Sequence, residues 1–139
     1  MTPADIALIR RTFAEARRRD PALGPRLHAK LFQQFPMAQG LSLDPDSDQD
    51  GFLSQVSAVI SLLDDPAALG HTLSDFAAPY RASGAEMLYH AMIGAALLGV
   101  LRDALGDAFT PEVERAWIAG CLHVARTATE ADLSERQST

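Results

Sequence analysis

The stretch YHAMIGAALLGVLRDALGDAFTPEVERAW, residues 89–117, contains both the middle of a long helix and the start of another. Its first part belongs to EMLYHAMIGAALLGVLRDAL, which follows Gly84, a natural helix stop. The spacing sets Met87, Ala91, Leu98, Leu101 and Leu105 along one side. Gly94, Ala95 and Ala96 in its middle predict a close crossing with another helix. Thr110 followed by Pro111 is a side-chain cap with proline in the first turn, so a last helix is expected from Pro111 to about Thr129. It would bury Val113, Trp117, Cys121 and Val124, and the polar ADLSERQST after it would fray.

The same start signal occurs at Thr2-Pro3, Asp20-Pro21 and Asp65-Pro66. The first helix then carries Ile6, Ile9, Phe13 and Ala16 at spacings of three and four. Leu23, Leu27, Leu31 and Phe35 follow before Pro36, although Gly24-Pro25 inside this pattern predicts that its regular part begins only at Pro25. Phe52, Leu53, Val56, Val59, Ile60 and Leu63 give a wide apolar face, and Leu69, Leu73, Phe76, Ala77 and Tyr80 give the next. Proline at position 79 cannot donate to the carbonyl of Asp75, so a bend is expected just before Tyr80. No alternating strand pattern appears. The expected class is all-α with six main helices, one domain over 1–130 and a polar tail over 131–139.

Charge and composition narrow the function. Twelve Lys plus Arg against eighteen Asp plus Glu leave a net charge of −6, which disfavours nucleic acid and anionic membranes. No apolar run reaches the ~18 to 20 residues of a membrane span. No export signal is visible, so the cytoplasm is the expected location. The basic concentration Arg10, Arg11, Arg17, Arg18 and Arg19 could form an anion patch, but three of these sit where a helix should end and read as helix-end complementation. Cys121, the lone cysteine, reads as core filler. Catalytic Ser, His and Asp spacing, a glycine-rich phosphate loop and Cys/His metal spacing are all missing, and nothing points to an enzyme.

One loop motif stands out. In DPDSDQDG and the residues after it, Asp46, Asp48, Asp50 and Gly51, then Phe52, Leu53 and Ser54, fit the first nine positions of a calcium-binding EF-hand loop. Ser57 stands where that loop needs a bidentate glutamate, and Pro45 interrupts any helix leading in. Helix capping by acidic residues explains the same pattern.

The segments ADIALIRRTF, RLHAKLFQQFP, SLLDDPAAL, the stretch 89–117 and the following AGCLHVA, in this order, resemble bacterial globins of the single-domain or flavohaemoglobin type. The resemblance covers residues 3 to about 130, with GAALL, FTPEV and AW its most specific part. It implies a globin fold. It also implies a histidine holding haem iron at the position that falls on Tyr80, and the nearest histidines, His71 and His90, lie nine residues before and ten after. The proximal histidine of the family is therefore missing. His28 occupies the place of the family's distal tyrosine, His90 that of the tyrosine supporting the proximal ligand, and Phe52 would project from the distal helix into the pocket.

Two readings follow from the resemblance. In the first, the chain is a globin-fold binding or sensing protein without ordinary haem ligation, carrying no cofactor, its pocket closed or given to an apolar small molecule or a protein partner. In the second, haem is held by unusual axial ligation through Tyr80, His28 or His90 and serves oxygen, nitric oxide or peroxide chemistry. A phenolate is a known ligand of ferric haem. Neither reading makes the protein a reversible oxygen carrier.

Overall fold

A computed structural model describes the backbone of residues 1–36, 51–78 and 86–137, and the side chains of 1–36, 53–76, 78 and 91–131. Within it the chain is all helical: α1 (Pro3–Arg19), α2 (Leu23–Gln34), α3 (Gly51–Ser61), α4 (Pro66–Ala77), α5 (Glu86–Leu105) and α6 (Pro111–Gln137), with one 3-10 turn at Gly106–Ala108. No strand occurs among the described residues.

Three of the four start signals cap helices. Thr2 and Asp5 exchange hydrogen bonds with each other's backbone N–H at 3.1 and 3.0 Å, a capping box at the head of α1. Asp65 accepts from the Ala68 N–H at 3.3 Å, and Thr110 from the Val113 N–H at 3.2 Å. Asp20-Pro21 behaves differently. Asp20 closes α1, its carboxylate accepting from the Ala22 N–H at 3.0 Å and its carbonyl from the Leu23 N–H at 3.1 Å. The pair thus makes a turn, and α2 starts at Leu23 with Pro25 in its first turn, where a missing N–H costs nothing. The expected start at Pro25 is corrected by two residues.

The apolar stripes meet in one core. Helix α1 lies on α5 and α6, α2 on α3 and α5, and α4 chiefly on α6, so α5 and α6 form the centre. Ile9, Leu23, Leu27, Leu31, Leu69 and Leu101 are among its fully buried side chains. Two residues of the α5 reading need correction. Ala91 and Ala95 are exposed, because the helix turns its Met92, Ala96 and Val100 side inward. At the crossing of α1 and α6, a methyl on Gly120 would stand 2.8 Å from Ile9 Cδ1, so glycine permits the close approach there.

Arginines of α1 hold the ends of two other helices. Arg10 donates to the carbonyls of Ile60 and Ser61, both at 3.2 Å, and to Asp64 at 3.1 Å, where α3 ends. Arg19 donates to the Leu105 carbonyl at 2.9 Å, where α5 ends, and Gly106 follows with φ 52° in the left-handed region. Arg17, Arg18 and Arg19 stand in the last turn of α1, and Arg10 and Arg19 extend helix-end complementation to α3 and α5.

Candidate functional site

Helices α3, α4, α5 and α6 do not close completely on one another. They leave a cavity of about 390 Å³. From α3 come Val56, Val59, Ile60 and Gln55; from α4, Leu73 and Phe76; from α6, Trp117, Cys121, Val124 and Ala125. Its α5 wall is built from Ile93, Gly94, Leu97 and Leu98, with the exposed Ala91 and Ala95 at the rim. Ile9 of α1 closes the floor.

Two features explain why the space persists. Among the described residues, a methyl added to Gly94 would have one neighbour within 4 Å, the Sγ of Cys121 at 3.7 Å, so the glycine leaves room that those neighbours do not fill. Opposite it, Trp117 cannot swing in. Its indole N–H donates to the Thr12 hydroxyl at 2.9 Å, and its ring lies 6.4 Å from that of Phe13, tilted by 56°. Among the described lining residues the side-chain polar groups besides the Trp117 N–H are few: the Gln55 amide and the Cys121 thiol, whose pKa burial pushes up. Among the described lining residues there is no Asp, Glu, Lys, Arg or His.

The residues singled out in the sequence fall unevenly on this geometry. His28 is 7% exposed on α2, its ring 5.0 Å from that of Phe32, and it is not among the cavity's lining residues. Tyr80 and the proposed bend at Pro79 lie outside the described residues, as do Asp46, Asp48 and Asp50. Phe52 and His90 fall within α3 and α5, but their side chains lie outside the description. Gly51 to Ser54, the later positions of the calcium-loop motif, are wound into α3. Among the described residues no three His, Cys, Asp or Glu side chains gather as a metal would need. No described helix is long and apolar enough to cross a membrane.

Sequence reading gave Cys121 no role and read Gly94 as packing against another helix; both border a void. Periodicity identifies inward faces and carries no signal for the volume left between them. No protein-family model matches the sequence.

Proposed function

We propose that this chain is a divergent globin-like binding or sensing protein that holds an apolar small molecule in place of conventionally ligated haem. The cavity between α3, α4, α5 and α6 carries the reading, since a concave, mostly hydrocarbon site of this size is what small-molecule binding requires. Its donor set suits hydrocarbon better than haem: iron needs an axial ligand and the propionates need cations or water, whereas the described walls offer neither a histidine nor a charge. The residue at the family's iron-ligand position, Tyr80, agrees with this.

The second reading is haem held through Tyr80, His28 or His90; His28 is buried but does not line the described cavity. One experiment separates the two. Haem is titrated into the purified protein and into Tyr80→Phe, His28→Leu and His90→Leu variants while absorbance is recorded. The proposal expects no saturable Soret band. A stoichiometric band that is lost or shifted in one of the three variants overturns it.

A further inference from the structure

We infer that the cavity selects an uncharged, largely hydrocarbon ligand of about fifteen non-hydrogen atoms and rejects the same skeleton bearing an anionic group. This inference rests on the proposed binding function and names the chemistry of that site. Size comes first. An apolar cavity of about 150 Å³ holds one benzene, so 390 Å³ scales to roughly fifteen such atoms. A two- or three-ring hydrocarbon or a short terpenoid has that size.

Charge comes second. A carboxylate or sulfonate brought among Val56, Ile60, Leu97 and Val124 would lose water and meet no cation on the described walls. The Gln55 amide and Cys121 thiol on the described walls are neutral and offer no charge to pair with an anion. The Trp117 N–H is already committed to Thr12, so its ring offers a fixed apolar face.

A pair of dyes tests the inference on the full-length protein. N-phenyl-1-naphthylamine is neutral and about the right size; 1-anilinonaphthalene-8-sulfonate is the same skeleton with a sulfonate. Dye emission and quenching of Trp117, the sole tryptophan, are followed together. The neutral dye is expected to saturate at one per chain and quench Trp117, and the sulfonate to bind about 100-fold more weakly. Gly94→Leu fills the cavity from α5 and Ala125→Leu from α6. Each is expected to weaken the neutral dye at least about tenfold while circular dichroism and thermal melting show a folded protein.

The remaining outcomes overturn the inference in distinguishable ways. Equal affinity for both dyes, lost in either filled variant, removes the charge selectivity and leaves the cavity as the binding site. Neutral-dye binding unchanged in both folded, filled variants places the dye elsewhere. If the folded wild-type protein binds neither dye, the inference falls, and a Soret band sensitive to Tyr80→Phe would show that the proposed function has fallen with it.

Discussion

The hydroxyl of Thr12 accepts from the Trp117 indole and donates to the Leu8 carbonyl at 2.7 Å, joining α1 to α6 through a buried polar contact. Thr12→Val keeps the shape, removes the acceptor and strands a buried N–H. The expected cost is about 1–3 kcal/mol, read as a lower urea midpoint, with Thr12→Ser losing less. Gly106 is a second position where one residue decides, because its φ of 52° is reached cheaply only without a Cβ. Gly106→Ala is expected to cost about 1–2 kcal/mol in the same measurement. These two positions differ in legibility. A glycine after an apolar helix is a familiar stop, whereas nothing in the sequence pairs Thr12 with a tryptophan 105 residues away.

Helix ends were readable where the signal is local. Thr2, Asp65 and Thr110 cap because side chain and N–H are three residues apart, and that spacing is written in the sequence. Asp20-Pro21 has the same composition and yields a turn, since the Asp20 carbonyl and carboxylate are taken by Leu23 and Ala22. The α6 end was read at Thr129, yet the helix runs to Gln137: ADLSERQ lacks the apolar stripe but consists mainly of good helix formers. Within α1, Glu15 accepts from Arg18 Nε at 3.0 Å and Arg19 Nε at 2.8 Å. Arg18 first, then Arg19, hold its pKa at about 2, below the ordinary 4.5. The folded state therefore resists protonation, and this contribution is complete above about pH 4.5, fades as pH falls and is gone below about pH 2. Urea titrations of wild type and Glu15→Gln are expected to differ most near neutral pH and to converge toward pH 2. A gap that persists at pH 2 would contradict the assignment.

For the whole molecule, the all-helical class and the inward faces were legible because 3.6-residue periodicity reports burial directly. Leu101 is fully buried, and Leu101→Ala is expected to lower stability by about 2–5 kcal/mol with an unchanged denaturant slope, as for a folded protein with a hole in its core. The cavity was not legible. It depends on how far four helices stand apart and on the room left at Gly94, neither of which a one-dimensional pattern records. The resemblance directed attention to Tyr80 and His28; His28 is not among the described residues lining the void, and Tyr80 lies outside the described residues.

Because α1 is packed largely by the last helix, its inward side chains Ile9 and Phe13 wait during synthesis for a partner about a hundred residues away. At about 5–20 residues per second, the nascent chain carries an uncovered sticky ridge for roughly 5–20 s. A chain released before Pro111 keeps that ridge permanently. It is expected to elute as aggregate or be captured by a chaperone, whereas the longer chain elutes as a discrete species under the same conditions. Helix α1 is thus sheltered only once α6 has been made, and a stalled or truncated chain shows its apolar face to quality control.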